Sequence, residues 1–407
     1  MVFVWIIVGV AAALFLALEL APVWLRAVDR APGNDRLLLA SEYEAPRYFV
    51  RSPDGRVDTA ARWPGWDAWG VCALPDDSSL PPHMIRGSLM TGLFGLEGVD
   101  NYEKLDFRLS SYDAVEHLCL VPTTYTMADG ETVILDNLSQ YYLTREIDLE
   151  MADSGLDVTV VGSRVGNEVT DVAYSHISGA WPRYQADLRG PESELLASLD
   201  YQGRRIVWWT DLPGFYTHYT VFGEFAVNMV YERGTVIADP HTLSRNPAKL
   251  SFPARGTVEH ISAVRPRGLG WLSVLLRHLG GVLYHHEVLV GEEIEGGFVH
   301  ARVFGVDFRN RGGLFAGEDY HELRRVSVKY TASDLVDNCG GRGAPVPVWR
   351  QWDVLAASDS GPLLYSATRT HPPAMVAANT SQYHFTWEGT WCGRPVRGRG
   401  YGEFARL

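Results

Sequence analysis

The sequence predicts an all-β body that follows a single N-terminal transmembrane helix. The 407 residues include 40 Gly and 22 Pro, and turn-forming triplets such as Pro-Asp-Gly at 53–55 and Glu-Arg-Gly at 232–234 recur along the chain. The segments between these turns are short and rich in aromatic and β-branched residues, and no helical period is sustained. Strands spaced at about ten residues are typical of a β-sandwich or β-barrel.

The N-terminal helix is predicted from an unbroken apolar run at residues 2–18. Trp5 and Trp24 are 19 residues apart, which is about 28 Å along a helix and close to the thickness of a bilayer core. A cleaved signal peptide is the alternative, but the basic start and small-residue cleavage site of such a peptide are not evident. No Lys or Arg precedes the run and three Arg follow it. The positive-inside rule therefore predicts a single-pass membrane protein with its body on the cytoplasmic side.

A stretch rich in Arg, Pro and Gly near residue 266 divides the body into two predicted domains. Within the second domain, Asn-Arg-Gly-Gly at 310–313 is predicted to form a hairpin turn. The predicted segments are a membrane anchor (1–25), a linker (26–45), an N-terminal β domain (46–265), a connection (266–280) and a C-terminal β domain (281–407).

Composition excludes several classes of function. The net charge of −13 disfavours an extended nucleic-acid surface, which needs a basic face. The four Cys lack zinc-ligand spacing, and buried free thiols are favoured over a pairing of Cys339 with Cys392. His285 and His286 are adjacent, so in a regular strand they point to opposite faces, and isolated strand histidines are favoured over a metal site. No nucleotide-binding loop or nucleophile motif occurs, and no cofactor is predicted.

The strongest chemical pattern is an aromatic block between residues 205 and 260. The segments at 205–222 and 256–260 are predicted to be neighbouring strands, so that alternate side chains converge on the lumen of a first barrel. A carboxyl group among aromatic walls has its charged form disfavoured, which would raise its pKa and make it a proton donor. The alternative is that these aromatic residues are simply core. The predicted catalytic residues are Glu259 and His260, and the predicted ligand-binding residues are Trp208, Trp209, Tyr216 and His218.

Three stretches also carry a resemblance to a known family: Phe-Tyr-Thr at 215–217, Gly-Thr-Val-Glu-His at 256–260 and Gly-Arg-Gly-Tyr-Gly-Glu at 398–403. In order and spacing, residues 200–407 resemble the tandem lipocalin-like family of carotenoid 1,2-hydratases, AttH-like proteins and lipocalin-type Diels–Alderases. Glu259 stands where the hydratases carry Asp, and the Trp residues that flank that Asp are missing. The resemblance implies two lipocalin-like antiparallel barrels or half-barrels behind the helix.

Two hypotheses for function follow. In the first, the protein is a cyclase, isomerase or hydratase of an isoprenoid- or polyketide-like substrate that reaches it from the membrane. In the second, it is a non-catalytic lipid-binding or scaffold protein with the same fold. Both predict a lipophilic small molecule and the membrane as partners, and neither involves nucleic acid. They differ at Glu259, because only the enzyme needs a carboxyl group that faces a cavity.

Overall fold

The computed structural model is all-β, as the sequence predicts. It describes residues 20, 50–51, 57–58, 65–78, 86–91, 102–108, 123–126, 132–135, 140–143, 148–150, 156–162, 173–180, 182–189, 195–212, 216–233, 246–264, 282–336, 346–370, 373–377 and 380–406.

The predicted anchor, apart from Leu20, lies outside these residues, and so do the predicted linker and connection. Within the described ranges, no helix combines the length and the apolar character needed to cross a membrane. The domain boundaries stay predictions, because residues 265–281 fall outside the described ranges.

The first large sheet has thirteen antiparallel strands, and a separate hairpin pairs β1 (Val50–Arg51) with β2 (Val57–Asp58). Its main path runs β8-β5-β4-β3-β15-β14-β13-β12-β11-β10-β9, and β6 pairs with β7, which also pairs with β14. Among the described residues, no pairing joins β8 to β9. The strands are β3 (Gly65–Pro75), β4 (Arg86–Thr91), β5 (Tyr102–Arg108), β6 (Thr123–Thr126), β7 (Thr132–Leu135), β8 (Gln140–Leu143), β9 (Asp148–Glu150), β10 (Leu156–Gly162), β11 (Ala173–Ala180), β12 (Arg183–Arg189), β13 (Leu195–Leu212), β14 (Tyr216–Arg233) and β15 (Asn246–Val264).

The second sheet closes into a barrel of eight strands. Going round the barrel, β16 to β21 follow in order, β21 pairs with β23, β23 with β24, and β24 returns to β16. The short β22 pairs with β23 beside this circuit. The strands are β16 (Val282–Gly291), β17 (Glu295–Val303), β18 (Val306–Ala316), β19 (Asp319–Val336), β20 (Val346–Ser358), β21 (Gly361–Arg369), β22 (Ala374–Ala377), β23 (Thr380–Trp391) and β24 (Arg394–Arg406).

The predicted hairpin turn at 310–313 is wrong, because these residues lie inside β18. The chain turns instead at Phe304 and Gly305, whose φ angles are 51° and 81°. The two glycines at 312 and 313 serve packing: an added Cβ would lie 2.4 Å from the Phe298 Cβ at Gly312, and 2.4 Å from the Tyr320 ring at Gly313. A Gly-Gly pair read from sequence as a turn is here a place where large side chains approach the backbone.

One face of the first sheet packs against the outside of the barrel. A buried cluster joins Val207 and Phe222 of the sheet to Val288 and Phe315 of the barrel. Burial of these apolar side chains favours docking of the two sheets. Residues whose side chains lie on this face of β13, β14 and β15 therefore meet side chains from β16, β17 and β18.

Glu295 adds an ionic link between the sheet and the barrel. Its side chain is 13% exposed and accepts hydrogen bonds from Arg204 and from Arg255 Nη1, the latter at 2.6 Å. Arg255 also pairs with Asp76 at 2.8 Å. Two strands of the sheet are thus tied to one residue at the start of β17.

Candidate functional site

The pairing of β13, β14 and β15 decides which predicted site residues meet. The predicted neighbours are confirmed, since β14 pairs with β15 along its whole length. Thr220 lies opposite both Trp208 and Glu259, and His218 is two residues before it. Side chains directly opposite one another, or two residues apart in a strand, share a face. Trp208, His218 and Glu259 accordingly lie together, on the face that packs against the barrel.

His218 and Glu259 form a hydrogen-bonded pair. The His218 Nε2 is 3.0 Å from the Glu259 Oε2. Burial lowers the pKa of His218, although the hydrogen bond to Glu259 and its charge oppose that shift. The His218 side chain is 1% exposed, whereas that of Glu259 is 24% exposed. The carboxylate therefore keeps access to the outside while its partner is enclosed.

Aromatic rings from both sheets surround this pair. The Trp208 and His218 rings meet edge-on with centroids 4.3 Å apart, and Tyr284 of β16 stacks on His218 at 6.4 Å. His286, two residues along β16, is 6.3 Å from Trp208. We define the interface site as these residues together with the opposed threonine: Trp208, His218, Thr220, Glu259, Tyr284 and His286.

Three buried polar atoms of the interface site have no hydrogen-bond partner within the described part of the chain. They are Trp208 Nε1, Thr220 Oγ1 and His286 Nε2. Burial lowers the pKa of His286 to about 4, despite the nearby Glu259 charge, so its ring is neutral at pH 7. Buried polar groups are nearly always paired, so such a group is explained by strain, by water or by a bound molecule.

Of the other three predicted site residues, one is placed elsewhere and two lie beyond the described side chains. His260 points away from Glu259, because adjacent strand residues face opposite sides. It is 3% exposed and meets the Tyr219 ring edge-on at 5.8 Å. Trp209 and Tyr216 are strand residues paired with Tyr219 and Ala263, and their side chains are outside the described part.

Sequence reasoning missed Tyr284 and His286, which come from the barrel. The alternation of strand side chains at 284–287 already indicated which of these residues share a face. Tyr284 and His286 share one face of β16, and His285 and Glu287 share the other. Only the contact between the two sheets, which no local pattern reveals, shows that one face completes the interface site.

The other face of β16 places a second His–Glu pair inside the barrel. The Glu287 carboxylate contacts His285 Nε2 at 2.6 Å and accepts a hydrogen bond from Trp352 Nε1 at 2.5 Å and one from the Tyr365 hydroxyl. His285 and Glu287 are both fully buried. Burial raises the pKa of Tyr365, and the negative charge of Glu287 and the hydrogen bond to it raise that pKa further, so the hydroxyl group stays protonated.

The described residues contain no group of three or more His, Cys, Asp or Glu that could hold a metal ion. Cys392 is a free thiol and is exposed, contrary to the predicted burial, because it sits in the turn between β23 and β24. Cys72 is a half-buried thiol.

Comparison with known proteins adds little to this geometry. No protein-family model matches the chain, and a search of characterised sequences found no match. Among solved structures, the chain is similar to kievitone hydratase from Nectria haematococca, with 10% identity, a TM-score of 0.36, and 92% of this chain and 95% of that chain covered. A similarity this low supports no conclusion about the site, which rests on the residues themselves.

Proposed function

We propose that the protein binds a lipophilic small molecule at the interface site and that the His218–Glu259 pair exchanges a proton with it. The observation that carries this proposal is the set of three unpartnered polar atoms within an aromatic wall, beside a carboxylate that is 24% exposed. An apolar site with a few convergent polar groups is the usual form of a small-molecule site. A ligand with a polar group would give these atoms the hydrogen bonds that they lack.

The pair suits acid–base chemistry on a carbon–carbon double bond. A neutral His218 and the Glu259 carboxyl group, 3.0 Å apart, can hold one proton between them. Transfer of that proton to the double bond leaves a cation, which the faces of Trp208 and Tyr284 can stabilise. Return of a neighbouring proton to the pair completes isomerisation or cyclisation. Addition of water, with its second proton returned to the pair, completes hydration of an isoprenoid- or polyketide-like substrate.

One observation favours the second candidate, a non-catalytic lipid-binding or scaffold protein. Trp208 is 2% exposed and belongs to the buried cluster between the sheet and the barrel. A side chain so enclosed stabilises docking whether or not a ligand binds. The two candidates separate at Glu259, since only the enzyme loses a function when the carboxyl group becomes an amide.

The membrane remains part of the proposal. We propose that residues 1–25 anchor the protein as a single-pass helix, with the body on the cytoplasmic side, so that a lipophilic substrate arrives through the bilayer. Deletion of residues 2–25 should move the protein from the membrane pellet to the supernatant after cell lysis. Retention of the deleted form in the pellet through a carbonate wash would contradict the anchor.

Binding is tested with N-phenyl-1-naphthylamine, an uncharged probe whose fluorescence rises in apolar surroundings. Trp208→Ala should weaken binding about tenfold or more, because it removes a ring that lines the site. Trp391→Ala is the matched control, since Trp391 is the last residue of β23, at one end of the barrel. Equal binding by the protein and by Trp208→Ala, with circular dichroism unchanged, would place the ligand elsewhere.

Turnover is tested by incubating the purified protein with a lipid extract and following products by mass spectrometry. The protein should convert a component to an isomer of the same mass or to a hydrate. Glu259→Gln should bind N-phenyl-1-naphthylamine normally and give no product, because the amide cannot exchange the proton. Normal binding with no product from either form would favour the non-catalytic candidate.

A further inference from the structure

One row of residues runs across five adjacent strands of the barrel. His285 lies opposite Phe404 of β24 and opposite His300 of β17. Ser381 of β23 lies opposite Phe404, and Asn310 of β18 lies opposite His300. We name these five residues the barrel-end row, because they lie near the end where the turn at 304–305 joins β17 to β18.

The side chains of the barrel-end row face the inside of the barrel. Phe404 belongs to the core cluster within the barrel, and residues directly opposite one another share a face. The exposed fractions are 4% for His300 and 2% for Ser381. These polar side chains are therefore enclosed by the barrel wall.

Three members of this row each have one buried side-chain atom without a hydrogen-bond partner in the described ranges, although His300 Nε2 lies 3.6 Å from Asp307 Oδ1. Their buried atoms are Ser381 Oγ, His300 Nδ1 and Asn310 Oδ1. Trp349 of β20, packed on Phe404 with ring centroids 5.8 Å apart, adds its Nε1 to this set. Each buried atom of this kind needs an explanation, and four of them lie around one barrel end.

A hydrogen-bonded relay lies beneath them. The Tyr330 hydroxyl is 2.7 Å from His285 Nδ1, and His285 Nε2 is 2.6 Å from the Glu287 carboxylate. The imidazole thus joins a hydroxyl group on one side to a carboxylate on the other. Tyr330 is half-buried and stacks on Trp349 with centroids 4.0 Å apart, so the relay ends beneath a flat aromatic surface.

From this arrangement we propose that the barrel end is a second ligand site, separate from the interface site. It takes a small, neutral, ring-shaped molecule that carries a hydroxyl or carbonyl group. The ring packs against Trp349, Tyr330 and Phe404. Its polar group accepts hydrogen bonds from Trp349 Nε1 and Ser381 Oγ, and a hydroxyl group also donates one to Asn310 Oδ1 or His300 Nδ1, after these side chains turn toward it.

The chemistry of the row selects a neutral ligand. The carboxylate of Glu287 already contacts His285, Trp352 and Tyr365, so it offers no unused charge to a cation. No Lys or Arg stands in the row, so an anion finds no cationic partner there. The four unpartnered atoms include a donor at Trp349 and an acceptor at Asn310, which suits a hydroxyl group that donates and accepts.

The test compares 2-naphthol with naphthalene, two fluorescent rings that differ by one hydroxyl group. Binding to the full chain should be about tenfold tighter for 2-naphthol. This preference should disappear in Trp349→Phe, which keeps the ring but removes Nε1, and in Ser381→Ala. Trp391→Phe, a matched change outside the row, should keep the preference. If the two probes bind equally, or if Trp349→Phe and Ser381→Ala both keep the preference, the barrel-end site is overturned.

Two further measurements distinguish binding at the barrel end from binding at the interface site. Circular dichroism confirms that each variant folds, and Ser381→Ala stands alone if Trp349→Phe does not fold. Trp208→Ala should retain the preference for 2-naphthol even when it loses N-phenyl-1-naphthylamine. Loss of the preference in Trp208→Ala, with Ser381→Ala unaffected, would assign the hydroxyl recognition to the interface site and overturn the barrel-end site.

Discussion

The two His–Glu pairs of this protein have the same composition and opposite surroundings. His285 and Glu287 are two residues apart on β16 and fully buried, and the carboxylate contacts three donor groups. His218 and Glu259 come from neighbouring strands, and Glu259 is 24% exposed. A buried charge costs several kcal/mol unless it is fully hydrogen-bonded. The barrel pair therefore stabilises the fold, whereas the interface pair leaves its carboxylate available to a bound molecule.

The largest expected effect comes from removing the buried carboxylate. Glu287→Ala leaves Trp352 Nε1, the Tyr365 hydroxyl and His285 without their acceptor, and should lower the free energy of unfolding by about 3–5 kcal/mol. Glu259→Ala is the matched change at the interface and should cost about 1 kcal/mol or less because Glu259 is partly exposed. Urea unfolding measures both. Equal costs would show that the two pairs do not differ in the way proposed.

The next effect is a loss of stability in acid. The pKa of His286 is lowered by burial to about 4, below the unfolded value near 6.5. Between these two values the unfolded chain binds a proton at His286 more readily than the folded chain does. The contribution of His286 to the free energy of unfolding is therefore fully present above pH 6.5 and is lost as the pH decreases toward 4. The free energy of unfolding should drop by about 2–3 kcal/mol between pH 7 and 4.5 from His286 alone.

The variant His286→Phe isolates this contribution from the carboxylates that also titrate in acid. Its unfolding free energy should vary less with pH than that of the unchanged protein, measured by urea unfolding at pH 7 and 4.5. His300, whose pKa is also lowered to about 4 by burial, is present in both proteins, so its contribution to the pH dependence cancels in the comparison. Identical pH dependence in the two proteins would mean that His286 is not enclosed at the interface.

A smaller effect concerns the ionic link between the sheet and the barrel. Glu295→Gln weakens charge-assisted hydrogen bonds from Arg204 and Arg255 at a site that is 13% exposed, and should cost about 1–2 kcal/mol. Glu292→Gln is the control, since Glu292 and its partner Arg397 are each 75% exposed and such pairs contribute little. Thermal unfolding compares the two. A cost at Glu292 as large as that at Glu295 would contradict a specific role in docking.

The smallest effect has the opposite sign. Thr220→Val replaces an unpartnered buried hydroxyl group with a methyl group, and should leave stability unchanged or raise it by up to about 1 kcal/mol. Thr210→Val is the matched change, because Thr210 accepts a hydrogen bond from the buried Arg309 Nε at 3.0 Å and its loss should cost about 1–3 kcal/mol. Urea unfolding gives both values. A stability loss in Thr220→Val would show that this hydroxyl group has a partner.

The all-β class and the β14–β15 pairing followed from local pattern, because strand propensity and alternation are properties of short segments. The same alternation separates His260 from Glu259, and adjacent positions alone could have shown it. The meeting of Trp208, His218 and Glu259 also depends on register. An irregularity between Ile206 and Trp208 changes which residues face the barrel, and sequence does not reveal such irregularities.

The remaining features of the fold and of the interface site could not be predicted, because they depend on contacts between distant parts of the chain. Tyr284 and His286 join the interface site only through docking of the barrel on the sheet. The glycines at 312 and 313 look like a turn until Phe298 Cβ and the Tyr320 ring are seen beside them. Closure of the barrel pairs Leu283 with Arg406. These residues are far apart in the sequence, so no local pattern predicts that they pair.

That closure has a consequence for synthesis of the protein on the ribosome. The last of the described strands, β24, pairs with both β16 and β23, so the barrel remains open until residues near 406 have left the exit tunnel. Until then β16 and β23 present unpaired edges, which can pair with other nascent chains. The nascent chain should thus depend on chaperones until β24 has been made and has paired. Truncations that end before residue 394 should aggregate even though most of the fold has been made.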